Sequence, residues 1–405
     1  MIVSEVSDWC PPVRSQIIDT DNNQGSTCFM EYDEKVKQPI NLFEYERLAK
    51  SLMPETEWDF VEGGATDEIT INRTRQAFDS IMLRPRMLVD VDQRDMSTNV
   101  LGQRIDFPVM LSPAGHHIRA HPDAEIATVK AANAMNVGMI LSSGSSVVME
   151  DVARAATRRI WFQQYFYRDR AVTELMAHRA EDLGFSALCI TLDASIRSKR
   201  ERNLRNDYAI PPSPNYEGIL NGENFNPSSD DAPLNVSGMV SPKVTWDEFE
   251  WLASKTDLPL IAKGVMTAED AKLAVDHGVS AIIVSNHGGR SLDPTFATIE
   301  VLPEVAETVN GQAEIYLDGG IRRGTDIVKA IALGANAVLI GRPIFWGLAV
   351  NGAEGLRHLL ELLREEFDSS MGLCGNPDIS SIDRSLVGRT SPLAGRIESL
   401  PKTHH

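Results

Sequence analysis

The chain has 405 residues, 42% of them hydrophobic, and a formal net charge of −18 at pH 7. That length suits one large α/β barrel or two ordinary domains, and a surface this acidic makes phosphate backbones and anionic lipid poor partners. No apolar stretch approaches the roughly 18–20 residues that span a bilayer, and the four scattered cysteines form no CxxC pair, which argues against a disulfide scaffold or a zinc site.

Taken in chain order, residues 1–38 are polar and irregular, and Met1–Asp8 lacks the basic-then-apolar order of a secretory signal. A single domain is expected over 39–370, opening with a helical stretch, Ile40–Ala77, that turns at Gly63-Gly64. Eight short apolar runs follow, each succeeded by a helix-like segment. They are Pro108–Gly115, Val137–Ser143, Ile160–Tyr165, Ala187–Asp193, Pro259–Val265, Ala281–His287, Ala313–Gly319 and Ala337–Pro343. Helices are expected between them, for example over Ala124–Met135, Val172–Leu183, Ala268–His277 and Gly324–Leu333. The Thr267-Ala268-Glu269-Asp270 start and the Gly278 stop are the clearest boundary pair. Cys189 sits inside an apolar run and reads as core. Eight strand–helix units predict an α/β fold of the (β/α)8 barrel type. The stretch from Lys199 to Lys243, rich in Pro, Asn, Ser and Asp, breaks the rhythm and reads as a long loop after strand 4, either a lid or a plain surface excursion. Residues 371–405 read as a C-terminal tail.

In a (β/α)8 barrel the chemistry sits at the C-terminal ends of the strands. Those ends supply a set of polar residues beside apolar runs, and buried polar groups usually hold a ligand or one another. Ser285-Asn286-His287-Gly288-Gly289-Arg290 presents an imidazole and a guanidinium three residues apart. A base that titrates near neutrality therefore stands beside a fork suited to a carboxylate. Two neighbouring strand ends, Asp318-Gly319-Gly320-Ile321-Arg322 and Ile340-Gly341-Arg342-Pro343, combine glycine turns with arginines where such barrels bind phosphate.

These segments, together with Ile261-Ala262-Lys263-Gly264-Val265 and Leu83-Arg84-Pro85-Arg86, resemble the FMN-dependent 2-hydroxy-acid oxidases and dehydrogenases, in order and with similar spacing from about residue 40 to 370. The resemblance implies an enzyme that binds FMN and no metal. It implies a small 2-hydroxy-acid substrate, oxygen or another electron acceptor, and a homo-oligomer, by likeness a tetramer. It also implies roles. His287 takes a proton from the substrate, Asp193 pairs with it, Arg290 and Arg200 hold the substrate carboxylate, and Tyr165 hydrogen-bonds the substrate oxygen. Lys263 stands at the pyrimidine edge of the flavin. Pro113, Ala114, Gly115, Ser142, Gln163 and Thr191 contact its ring, and Ser285 approaches the ring or ribityl chain. Asp318, Gly320, Arg322, Gly341 and Arg342 bind the ribityl chain and phosphate. A carboxylate beside an imidazole leads to the expectation that Asp193 raises the pKa of His287. The cytoplasm is the expected location; the Ser-Lys-Leu peroxisomal address of some relatives does not end this sequence.

The pattern departs from the family at three points. Phe60 stands where a tyrosine usually helps hold the substrate carboxylate, and Gly144 where glycolate-specific members carry a bulky tryptophan. Both changes enlarge the pocket and make it more apolar, so a substrate bulkier than glycolate is expected. Gly115 stands where many oxidases carry alanine, which leaves the acceptor open. His116 and His117 follow on the same loop, with a site-lining and a structural role equally in view; His121 reads as structural. Three other functions compete: a flavin-dependent tailoring oxidase of a larger metabolite, a flavin-binding module without turnover, and a phosphate-binding barrel without flavin.

Overall fold

Three helices precede the barrel: α1 (Leu42–Leu52), α2 (Glu55–Glu62) and α3 (Ile69–Asp79). The computed structural model describes residues 38–217, 219, 239–390 and 397–399. Most of the N-terminal extension, the middle of the 199–243 stretch and part of the tail therefore lie outside the described residues. The Asn41 side chain starts α1 by accepting from the Glu44 N–H at 3.0 Å, as N-caps do. Asp293, from a distant loop, caps α3: its Oδ1 accepts from Thr70 N–H at 2.7 Å and its Oδ2 from Ile69 N–H at 3.2 Å. The helical reading of this region stands, with its break at Gly63-Gly64.

A short strand β1 (Ile81–Leu83) and a hairpin, β2 (Thr98–Val100) and β3 (Gln103–Ile105), come next. The hairpin turns at Leu101 and Gly102, both at positive φ (44° and 75°), the twist that matches flanking strands. Eight parallel strands then close into a barrel. They are β4 (Val109–Leu111), β5 (Gly138–Ser142), β6 (Trp161–Gln164), β7 (Leu188–Thr191), β8 (Leu260–Val265), β9 (Ala281–Val284), β10 (Glu314–Asp318) and β11 (Ala337–Ile340), with β11 pairing back onto β4. Each of the eight apolar runs supplies one strand.

Alternation along the strands divides the core. Met110, Ile140, Trp161, Cys189, Ile261, Ile283, Tyr316 and Leu339 fill the barrel, with Val100 and Ile105 of the hairpin packed against them. The intervening residues, such as Leu111, Leu141, Phe162, Ile190 and Ile282, face the surrounding helices. Cys189 is thus core, as its apolar neighbours imply. The helix at Ala268–Asp276 begins with Thr267 Oγ1 accepting from Asp270 N–H at 3.1 Å, and the chain leaves it through Gly278 at φ 74°.

Two stretches are more ordered than their composition implies. The segment after Phe367 continues the last helix to Cys374, and Val387–Arg389 then pairs antiparallel with β1. The 199–243 stretch begins as a short helix, Glu201–Arg205, and Pro214–Tyr216 forms a 3-10 turn. No described helix is long and apolar enough to cross a membrane.

Candidate active site

The turn after β9 folds back on itself because His287, Gly288 and Gly289 are all left-handed, at φ 57°, 64° and 72°. Glycine is required at 289, where a Cβ would fall 2.8 Å from Ile71 Cγ1. Asn286 braces the turn by accepting from Gly289 N–H at 3.2 Å and donating to the Phe296 carbonyl at 3.1 Å. This conformation brings His287 Nδ1 to 2.9 Å from Asp193 Oδ1, beyond the end of β7. A carboxylate only accepts, so the imidazole proton resides on Nδ1 and Nε2 keeps its lone pair. Gly264 makes room for the pair: at φ 108°, a Cβ there would lie 2.8 Å from Asp193 Cβ and Cγ. The register also shifts between Lys263 and Val265, a bulge of the kind that re-aims side chains at active sites.

The electrostatics correct one expectation. Burial pushes the His287 pKa below its ordinary value, and the Lys263 cation pushes the same way; Asp193 pulls it up but does not win. The imidazole is therefore neutral and ready to accept a proton near pH 7. For Asp193, burial acts to raise the pKa, but His287 and Lys263 hold it below the usual carboxylate range. Burial opposes the charge of Lys263 too, and Asp193 and Asp318 overcome it, leaving the ammonium above its ordinary value. Its Nζ donates to Ser285 Oγ at 3.0 Å and lies 3.6 Å from Asp318 Oδ2; Ser285 Oγ in turn donates to Asp318 at 3.0 Å.

Two guanidinium groups share this cavity. Arg290 donates through Nη1 to the Val61 and Gly63 carbonyls, at 3.0 and 2.7 Å, and lies 5.4 Å from the Phe60 ring. Arg200 donates through Nε to the Arg290 carbonyl at 3.3 Å. Among the described residues, neither forms an ion pair with a carboxylate, and each keeps further N–H groups without an acceptor. Burial depresses both pKa values, that of Arg290 strongly, with Arg200 and Arg342 adding repulsion. Tyr165 also lines the cavity; burial raises its phenol pKa, so it remains a donor.

The ends of β5, β6 and β7 are tied by a relay. Ser142 Oγ donates to Gln163 Oε1 at 3.2 Å, and Gln163 Nε2 donates to Thr191 Oγ1 at 3.0 Å. Ser142 lines the cavity with Pro113, Ala114 and Gly115, whereas Gln163, Thr191, Ser285 and Asp193 stand behind the wall. Asp318, Gly320, Arg322, Gly341 and Arg342 line the same cavity. Gly320 has φ 89°, and a Cβ there would meet Thr74 at 2.6 Å, so this turn has room only for glycine. Arg322 stacks 4.5 Å from Trp346 and donates to the Ile321 carbonyl at 2.9 Å; burial pushes its pKa down to about 10. Arg342 reaches the Gly288, Val61 and Glu62 carbonyls and lies 3.4 Å from the Glu62 carboxylate.

The cavity encloses about 1230 Å³ counting its open mouth, so it has room for a cofactor and a small acid together. Its lining combines a buried lysine, glycine turns and a buried arginine without a carboxylate hydrogen bond. That donor set fits a planar, reducible ring joined to a phosphate. No group of three or more His, Cys, Asp or Glu among the described residues is placed to hold a metal.

Phe60 and Gly144 line the same cavity, as does His116. His117 does not: its Nδ1 lies 2.9 Å from Thr128 Oγ1, and its ring packs edge-on to Phe345. His121 is structural, its Nδ1 accepting from Asp123 N–H at 3.1 Å. Sequence reasoning missed Ile210 and Phe345, which complete the wall, and Tyr208, which stacks on Phe60 at 4.8 Å. They lie outside the strand-end pattern, so no periodic signal marks them.

The sequence profile described as FMN-dependent dehydrogenase matches residues 49–389. L-lactate oxidase from Nostoc sp. is 44% identical over 360 residues, covering 87% of this chain and 99% of its own length. A peroxisomal (S)-2-hydroxyacid oxidase from Arabidopsis thaliana is 45% identical over 350 residues, covering 86% and 96%. 2-Hydroxyacid oxidase 1 from Homo sapiens is 42% identical over 363 residues, covering 88% and 98%. Among solved structures, a mandelate oxidase superposes with a TM-score of 0.79 at 36% identity, covering 86% of this chain and 98% of that one.

Proposed function

The chain belongs to the FMN-dependent dehydrogenase family, and from that premise we propose that it oxidises an L-2-hydroxy acid to the 2-oxo acid at this cavity. One observation carries the reading. A neutral imidazole backed by a carboxylate at 2.9 Å faces the same space as two arginines without carboxylate partners and a buried lysine. Bound FMN supplies the two-electron acceptor.

The residues divide the work by position. Arg200 and Arg290 take the substrate carboxylate with the N–H groups they do not spend on the protein, which fixes the α-carbon. His287 Nε2 accepts the proton that leaves, and Asp193 stabilises the imidazolium through Nδ1–H. Tyr165 donates to the substrate hydroxyl oxygen. Lys263 would provide a fixed cation beside the ring, where reduction adds negative charge. Pro113, Ala114, Gly115 and Ser142 would line the ring, with Gln163, Thr191 and Ser285 bracing them from behind. Asp318, Gly320, Arg322, Gly341 and Arg342 would hold the ribityl chain and phosphate.

Phe60 and Gly144 favour a substrate bulkier than glycolate. A second cavity beside the first shares Tyr165, Arg200, Ile210 and His287 and extends past Arg197, Lys199 and Val240. That extension supports a second reading, oxidation of a larger specialised acid. Dioxygen is the proposed acceptor, and assembly as a homotetramer is checked by light scattering. The decisive experiment mixes the yellow holoenzyme anaerobically with a panel from glycolate to mandelate and 2-hydroxyoctanoate, then readmits air. Bleaching by the bulkier acids with rapid reoxidation is expected. A colourless protein, or no bleaching by any acid, overturns the assignment; clear preference for glycolate overturns the bulk argument alone.

A further inference from the structure

Glu68 does not line the cavity, yet both arginines that take the substrate carboxylate are tied to it. Its backbone is left-handed, at φ 59°, a conformation that few non-glycine residues adopt and that persists only where its surroundings hold it. The carboxylate bonds in two directions. Oε1 accepts from Gly64 N–H at 2.9 Å, which closes the turn whose Gly63 carbonyl receives Arg290 Nη1 at 2.7 Å. Oε2 accepts from Arg202 Nη2 at 2.5 Å, two residues beyond Arg200.

Arg200 is the N-cap of the short helix Glu201–Arg205, none of whose residues is buried; its one leucine, Leu204, is 56% exposed. With no apolar face to anchor it, the helix is fixed by polar contacts to the segment around α2. Arg202 Nη1 lies 3.4 Å from Asp59 Oδ1, and Asn206 Nδ2 donates to Asp59 Oδ2 at 2.9 Å. Tyr208 then donates to Glu57 Oε2 at 2.9 Å. Backbone bonds run alongside, from Thr66 N–H to the Lys199 carbonyl at 3.0 Å and from Ala65 N–H to the Gly289 carbonyl at 2.9 Å. The Arg202 stem rests on Gly63, where a Cβ would fall 3.4 Å from its Cδ. An ion pair whose side chains are 40% and 23% exposed contributes little to global stability. A displacement of ~1 Å in a positioning group can still lower a rate about 100-fold, so the weight of this pair falls on where the two guanidinium groups point.

We propose that Glu68 is a positioning residue for the substrate carboxylate: it fixes the Gly63-Gly64 turn behind Arg290 and the helix behind Arg200 relative to each other, so that both guanidinium groups meet one carboxylate. Neither Glu68 nor Arg202 touches the reacting atoms; each acts through an arginine that does. The inference rests on the assignment of this cavity to 2-hydroxy-acid oxidation.

Steady-state kinetics and product binding on the holoenzyme test it. Binding of the 2-oxo acid is read from its perturbation of the flavin absorbance, which reports affinity apart from turnover. Glu68→Gly accepts the left-handed φ without strain, so folding is kept while both bonds of the carboxylate go. KM and the dissociation constant of the 2-oxo acid are expected to rise together by roughly tenfold to 100-fold, with the flavin midpoint potential and the unfolding midpoint close to those of the unsubstituted protein. Glu68→Gln keeps an oxygen for Gly64 N–H and loses only the charge facing Arg202, so a rise of about twofold to fivefold is expected. Arg202→Met raises both constants in the same way, and Arg202→Lys restores part of the loss. Combining Glu68→Gln with Arg202→Met costs no more than Arg202→Met alone, because both break one link. Unchanged KM and product affinity in Glu68→Gly, or a loss confined to kcat, overturns the proposal, as does additivity of the Glu68→Gln and Arg202→Met effects. If no 2-hydroxy acid bleaches the flavin of the unsubstituted protein, the oxidase assignment falls and this inference with it; that result is read before any variant is made.

Discussion

Replacing Asp193 by asparagine tests whether the carboxylate acts through its charge or only as a hydrogen-bond acceptor. The shape is kept, and an amide oxygen can still accept from His287 Nδ1 across the 2.9 Å contact. What disappears is the negative charge facing an imidazole that becomes cationic when it takes the substrate proton. Two unit charges ~4 Å apart interact by roughly 4 kcal/mol at an effective dielectric of about 20. The two groups share a hydrogen bond that the asparagine amide partly keeps, so the loss is better set at the 1.5–3 kcal/mol of a hydrogen bond to a charged group. That corresponds to a fall of about 10- to 150-fold in the rate of flavin reduction. The pH profile supplies the second signature. The base works when neutral, so activity is lost as pH falls through the folded His287 pKa, which burial already holds below its ordinary value. Asp193 is the main group pulling that pKa up; without it the acid limb moves to lower pH while the plateau drops. Anaerobic stopped-flow reduction across pH measures both. An unchanged plateau, or an acid limb displaced upward, would refute the argument that the carboxylate stabilises the imidazolium.

Three more variants probe the rest of the site. Gly264→Ala forces a Cβ to 2.8 Å from Asp193 at φ 108°; a loss of about 2–4 kcal/mol is expected from strain and overpacking, read by denaturant unfolding with reduction kinetics. Lys263→Met removes the buried cation 3.6 Å from Asp318; the bound flavin should become harder to reduce, seen as a lower midpoint potential in a dye-coupled titration, and an unchanged potential would reject the role. Phe60→Tyr combined with Gly144→Trp narrows the pocket and adds a hydroxyl, so relative kcat/KM should swing toward glycolate over mandelate by at least tenfold.

The barrel was legible because buried parallel strands leave a local mark: each of the eight apolar runs became one strand, and Ala124–Met135 is a helix with the expected ends. His287, Arg290 and Lys263 were legible because glycine-broken turns at strand ends announce themselves. What stayed hidden was set by contacts between distant segments. Val387–Arg389 pairs with Ile81–Leu83 across some 300 residues, and nothing in its composition marks a partner so far away. Tyr208 reaches the Phe60 ring from the stretch after strand 4, held by Glu57. The sign of the His287 shift was also beyond the sequence, because it depends on how far burial and Lys263 outweigh Asp193. An adjacent carboxylate is visible in a motif; the depth of the cavity around it is not.

The site inverts the character of the molecule that carries it. A chain with a formal charge of −18 repels small anions at long range, yet Arg200, Arg290, Arg322, Arg342 and Lys263 all line one cavity. Their repulsion shows in the depressed pKa values of Arg290 and Arg322, and backbone carbonyls at Val61, Gly63 and Gly288 take up part of the charge. Carbonyls satisfy N–H groups without cancelling a positive charge, so the cavity stays electropositive until anions arrive. A phosphate at the Arg322 end and a carboxylate at the Arg290–Arg200 end would answer that deficit at two separate places. Binding a substrate carboxylate beside His287 also supplies a negative charge near the imidazole, which favours its protonation. The group that fixes the acid in place therefore also prepares the base for the proton it is about to receive.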